Sequence, residues 1–308
     1  MIYRKQSGLT LIELMLSMAL GVFVLLSLIG LLLASKASYR LQDQKAQIQE
    51  TGRYAIDVLS KAIRQTGYVN WNDWQAPILL SDDAEPNVMG LDARTLRKNT
   101  PALEAITTGV VNGSDVLALR FFGVDPDLHG AILNCAGFSA LAPVADMSAD
   151  DQRSWSIFFV ARDATGEPEL RCKYRTQTGW NADAIARGVE SCQVLYGVDV
   201  LGNGVIQFMN ADEVRKLDAV EAATLGSYWK KISVIRLGLL ISGAQKVHGE
   251  ELVKQHDLFG AAYSNRHAEH DKGVRVVDSA LPAASRHRVR EVFTQTIHLR
   301  NASSKAGV

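Results

Sequence analysis

Glu13 is the one charged residue in Leu9–Ala34, LTLIELMLSMALGVFVLLSLIGLLLA, a run of 26 residues. A carboxylate in hydrocarbon costs a few kcal/mol on insertion scales, so its chemistry there is ion pairing: it persists where a cation is brought beside it. Near a helix end it has the simpler option of snorkelling to the interface. Other groups have spacings that invite chemistry. His267 and His270, with His248 and His256 nearby in sequence, could offer imidazoles to a transition metal. No strand or helix signal surrounds them, and a solvated polar loop is the simpler expectation. Asp199, Asn203 and Asp212 supply too few hard oxygens for an EF-type calcium loop, and Gly202, Asn203 and Gly204 read instead as a hairpin turn. Lys246, Arg286, Arg288 and Arg290 could face an anionic ligand, although a solvated basic face is the plainer account. No Gly-x-Ser-x-Gly, phosphate loop or His-Glu-x-x-His occurs, so the chain reads as non-enzymatic, with no cofactor and no metal.

These residues need elements to hold them. As a helix, Leu9–Ala34 extends about 39 Å, enough to cross a bilayer core. A cleavable secretory signal has an apolar core of about 7–15 residues ending at a small-x-small site. This run is far longer and passes into SKASYRLQDQKAQIQETGRYAIDVLSKAIRQTG, which has no Pro before Gly67. Leu41, Ile48, Ala55, Val58, Leu59, Ala62 and Ile63 recur mostly at intervals of three, four or seven, the mark of one helix face. One helix is therefore expected from near Leu9 to near Thr66, half in lipid and half in water. Small residues at Ser17, Ala19, Gly21, Ser27 and Gly30 suit close helix approach and equally suit ordinary membrane-helix composition. Arg4 and Lys5 precede the apolar run and hold the N-terminus in the cytoplasm, a bias that Arg40 and Lys45 weaken.

Beyond Gly67 the density of Gly, Asn, Asp and Pro marks a loop, in which Trp71 and Trp74 read as core or anchoring aromatics. Strand-like runs follow at 114–123, 154–162, 168–176, 190–200, 204–209, 231–243 and 288–301, with one short surface helix expected at 211–226. The fold class expected is α+β: a long N-terminal helix packed on a mainly antiparallel sheet, with an insertion near 244–287 between the last two strands. The 33 basic and 33 acidic residues balance, so bulk charge gives no reason to expect a nucleic-acid partner. Cys135, Cys172 and Cys192 lack a Cys-x-x-Cys spacing, which argues against zinc, and an exported domain tolerates a disulfide among them.

The short basic leader, the Gly8–Leu9 junction and Glu13 together resemble the class III signal of type IV prepilins and pseudopilins. That resemblance implies cleavage after Gly8, methylation of Leu9 and an assembly role for Glu13, paired with the amino terminus of a neighbouring subunit. Leu9 departs from the commoner Phe but keeps the large apolar character. The segments GVESCQVLYGVDVLGNG, YWKKISVIRLGLLISG and RHRVREVFTQTIHLRN resemble the late strands of PilW-type minor pilins. The fold implied is type IV pilin-like. The division implied is a leader at 1–8, a transmembrane and assembly helix at 9–34, its soluble half at 35–66 and a periplasmic β-rich domain at 67–308. The same resemblance favours a disulfide between Cys135 and Cys172, leaving Cys192 free, while a pairing of Cys172 with Cys192 stays open. The partners implied are other minor pilins and the major pilin, the prepilin peptidase and the inner-membrane pilus assembly machinery. The location implied is the bacterial inner membrane, then the pilus or cell surface. A pseudopilin of a type II secretion system and an adhesin-like tip module are the alternatives.

Overall fold

The computed structural model describes residues 8, 10–69, 84–125, 130–140, 142–144, 149–246 and 254–301. Trp71, Trp74 and His248 lie outside the described residues. The first element, α1 (Leu11–Gln65), is one uninterrupted helix of 55 residues, as the absence of Pro and the helical composition demand. The chain forms two compact units, residues 1–46 and 47–308.

Within the second unit, α1 buries the stripe Ile48, Ala55, Leu59 and Ile63. Thirteen strands follow among the described residues. They are β1 (Val88–Leu91), β2 (Thr95–Leu96), β3 (Ala105–Ile106), β4 (Val116–Phe121), β5 (Ser154–Arg162), β6 (Pro168–Thr176), β7 (Gly179–Arg187), β8 (Val189–Asp199), β9 (Ile206–Met209), β10 (Ile232–Lys246), β11 (Gln255–Asp257), β12 (Arg275–Val277) and β13 (Arg288–His298). Among the described residues, three short α-helices interleave: α2 (Ala149–Gln152), α3 (Ala211–Leu225) and α4 (Ala261–His267). Every strand pairing is antiparallel.

Two sheets carry the domain, in the orders β1-β4-β5-β6-β7 and β13-β10-β8-β9, with small ribbons β2-β3 and β11-β12 beside them. The expected single main sheet is thus divided. The division falls at Gly188, whose N–H donates to Pro168 in the first sheet while its carbonyl accepts from Ser242 in the second. From there β8 enters the second sheet, buried along all but its last residue. One core cluster, around Trp155, Ile157 and Phe159, takes Leu96 from the β2-β3 ribbon and Ala182 from β7.

Strand β13 lies beside the helix. Ser60 donates to Gln295, Asn301 donates to the Thr66 carbonyl, and the Phe293 ring sits over Gly52. A Cβ at Gly52 would fall 2.3 Å from the ring. Gly52→Leu gains about 0.8 kcal/mol of helix propensity yet must displace that ring from the helix surface. We expect a net loss of about 1–3 kcal/mol in denaturant unfolding of the detergent-solubilised chain, and unchanged stability would show that the contact is dispensable.

Three expectations need correction. The His267–His270 stretch is a solvated loop only in part: His267 ends α4 and stacks on Tyr263, with ring centroids 4.2 Å apart, while Glu269 and His270 are exposed in the turn that follows. Arg288 and Arg290 do not form a solvated basic face: both are buried and paired. Finally, β7 forms from GWNADAIAR, which carries little strand propensity, because the pairing with β6 across a two-residue turn supplies what the side chains do not. Between β10 and β13 the described residues form β11, α4 and β12.

Candidate functional site

The residues that could act lie at the start of α1. Thr10 and Glu13 form a reciprocal cap: the Thr10 amide and hydroxyl each donate to Glu13 Oε2 at 2.9 Å, and the Glu13 amide donates to Thr10 Oγ1 at 3.3 Å. This is a capping box, in which a Thr-x-x-Glu spacing satisfies amides that a helix start leaves without partners. The spacing was legible in TLIE, although the apolar context draws attention to the charge alone. Glu13 thus has a local reason to sit at this end. Gly8 is exposed. Leu9 lies outside the described residues.

Every large apolar side chain from Leu11 to Leu33 is more than half exposed, from 51% at Leu28 to 76% at Ile12. A surface that apolar, with a mean hydropathy of 2.6 over its best 18-residue window, is long enough to cross a membrane and must be covered by lipid or by other helices. Its polar side chains are reconciled internally: Ser17 donates to the Leu14 carbonyl and Ser27 to the Phe23 carbonyl, both at 2.9 Å.

In the globular unit, Cys135 and Cys172 form a disulfide that fastens the 130–140 loop to the middle of β6. Cys192 is a free thiol, buried on β8. Burial, with the Asp115 carboxylate beside it, raises its pKa, so it is inert towards exchange. Asp199 accepts from the Asn203 and Gly204 amides and so closes the β8-β9 hairpin. Asp212 is engaged by Arg215 instead. Among the described residues, no group of three or more His, Cys, Asp and Glu is arranged to hold a metal ion.

Sequence reasoning missed the arginine pairs of β13. Arg290 binds Glu190 of β8 in two-pronged fashion, with Nε–Oε2 at 2.6 Å and Nη2–Oε1 at 3.1 Å, and also reaches Asp278 at 2.9 Å. Glu190 reaches across β10 because a bulge there leaves it without a partner residue, while Arg290 lies opposite the small Ser242. Arg288 holds Glu167, in the β5-β6 turn, at 2.6 and 2.8 Å, and its guanidinium draws that carboxyl below the usual range. One strand therefore bridges the two sheets through charge.

Comparison with known proteins can now be set beside this geometry. Residues 157–301, from the middle of β5 to the end of β13, match the family described as Type IV Pilus-assembly protein W. Residues 3–33 match the prokaryotic N-terminal methylation motif. Among solved structures, a type IV-like pilin from Thermus thermophilus is similar at 14% identity and a TM-score of 0.31, over 86% of this chain and 100% of the other. No curated protein matches. With the methylation motif at one end of α1 and the match to the pilus-assembly family spanning the whole second sheet, the comparisons support a type IV minor pilin of the PilW type.

Proposed function

We propose that the chain is a non-catalytic subunit that helps to start type IV pilus assembly, as part of a priming or tip complex with other minor pilins. The observation that carries this reading is the uncovered apolar surface of Leu11–Leu33 with one capped carboxylate, Glu13, at its start. A helix of this kind has two media available, lipid before assembly and a bundle of like helices after it. In this reading the leader 1–8 lies in the cytoplasm and is removed after Gly8 by a prepilin peptidase, and the exposed Leu9 amine is methylated. The domain after the membrane helix lies in the periplasm. Glu13 then meets the terminal amine of an adjacent subunit, major or minor. In the bundle interior that pairing removes a desolvation cost of a few kcal/mol, which makes register and partner choice depend on it. The inner-membrane assembly machinery supplies the energy, since this chain has no nucleotide-binding motif.

The experiment is the amount of major pilin sheared from cells that lack the gene, against total cellular pilin. Low surface pilin with normal cellular pilin is the expected result. In complemented cells, Glu13→Ala should be cleaved as the parent chain is and yet lower surface pilin at least tenfold. Parental surface pilin with the variant would remove the role given to Glu13.

A further inference from the structure

Three carboxylates from three separate segments meet beneath the insertion. Asp92, in the turn after β1, accepts from the amides of Ala211 and Asp212 at 2.9 and 2.6 Å, at the start of α3. Asp115, just before β4, accepts from the amides of Ala93 and Val194 at 3.0 and 2.9 Å. Asp271, one turn past α4, accepts from the Tyr263 hydroxyl at 2.9 Å and faces Asn210, the residue before α3. The groups form a connected thread, Asp115 to Ala93 to Asp92 to Ala211 to Asn210 to Asp271.

The thread is buried, at 2%, 7% and 2% exposure for Asp115, Asp92 and Asp271. Among the described residues, no Lys, Arg or His makes an ion pair with any of the three. Of the basic groups nearby, Arg94 donates to the Asp92 and Ala93 carbonyls, Arg215 pairs with Asp212, and His267 stacks on Tyr263, from where it also attracts the Asp271 carboxylate. Glu213 adds a further acid from α3, its carboxylate accepting from the Asn210 amide. On the β8 side the thread meets Cys192 and Tyr196, both buried. Two polar atoms there lack partners, Asp271 Oδ1 and the Tyr196 hydroxyl. An acceptor without a donor, buried among other acceptors, is the geometry that a shared proton relieves.

The insertion docks over this site and is anchored at its C-terminal end, where Arg290 reaches Asp278 and the Ser285 carbonyl and Lys246 donates to the Ala283 carbonyl. Its apolar contact is small, Leu258, Val276 and Leu281 against Leu240 of β10. Its second contact is backbone on backbone: Gly273, at φ +96°, lies so close to the Gly113 carbonyl that a Cβ would stand 2.6 Å from it.

We propose that Asp115, Asp92 and Asp271 form a proton-operated latch that seats the insertion, residues 254–287, on the strand core. With a proton held among the three the latch is closed. When all three ionise, repulsion between them loosens the insertion. Burial first, and the neighbouring acids after it, push Asp92 up to about 7, and Asp115 and Asp271 are raised for the same reasons. A carboxyl whose folded pKa is raised stabilises the fold fully below its unfolded value near 4, and that contribution is lost as pH rises through about 7. The depressed carboxyls Asp163, Glu167 and Asp257 act in the opposite sense, with their contribution complete above about pH 5. Imidazoles also titrate between pH 5 and 8, so the carboxyl variants, and not the pH window alone, isolate the latch.

The test is hydrogen exchange of the full chain in detergent, read as protection of amides in 258–277 after correction for the intrinsic rate. Protection should fall about tenfold or more between pH 5.5 and 8, the response to one lost proton. Asp92→Asn or Asp271→Asn should flatten that slope whatever it does to overall stability. A parental slope in both variants would overturn the latch. So would full protection restored at pH 8 by millimolar calcium, which would make the thread a cation site.

Discussion

Replacing Arg290 by Met should destabilise the globular domain by about 3–5 kcal/mol, among the largest effects of any single substitution in this chain. The methionine keeps most of the side-chain volume, so the loss measures charge and not a cavity. Arg290 and Glu190 have side chains exposed by only 1% and 2%, so removing the cation strands a carboxylate where water cannot reach it. Asp278 and the Ser285 carbonyl lose their donor in the same step. The control is Arg290→Met combined with Glu190→Gln, which removes both charges and should recover a large part of the loss. Urea unfolding of the single and double variants decides the matter. A single-variant loss under about 1 kcal/mol would mean that the pair is solvated.

The second large effect is covalent. Serine at both Cys135 and Cys172 opens a closure across a sequence separation of 37 residues, which in the chain-entropy account costs on the order of 4 kcal/mol, or roughly 10 °C in Tm for a domain of this size. Little else holds the 130–140 loop. It has the Leu133–Ser139 bridge, a hydrogen bond from the Cys135 amide to Ser156 and one from Gln65 to the Leu133 carbonyl. Phe138, more than half exposed, leans on Tyr174 at 5.1 Å and adds little burial. Cys192 offers no rescue, because with both positions serine it is the last cysteine in the chain and has no thiol to pair with. An unchanged Tm under non-reducing conditions would show that the loop docks without its bond.

What the sequence disclosed follows from how local each signal is. The α1 helix is written in period and composition, so its reach from Leu11 to Gln65 lies within two residues of the expected span at either end. Strands β5 and β6 carry Ile, Phe, Val, Tyr and Thr and coincide with their expected limits. The α3 helix was legible too, though its start is buried at Ala211 and Val214 rather than lying on the surface. Strand β7 was illegible because its Ala, Asn and Asp residues take their conformation from β6. Helix α4 was hidden by its length, too short for a period to show. The Thr10–Glu13 cap could be read from spacing alone. Arg290–Glu190 and the Asp92 thread could not, since each joins residues about 20 to 180 positions apart in an order set only by strand pairing.

The contact between α1 and β13 joins the first described element to the last. A chain leaving the ribosome exposes Ile48, Ala55, Leu59 and Ile63 early, but the strand beside that stripe begins only at Arg288. Until then the helix has no β13 to rest on, and Glu190 waits 100 residues for its arginine. Closure of such a distant pair carries a high entropic barrier and belongs to slow folding. A chain cut short before position 288 would keep most of the sequence yet lack the seam that closes the domain, so loss of the last strand would act as a folding defect of the whole unit and not as the trimming of an edge.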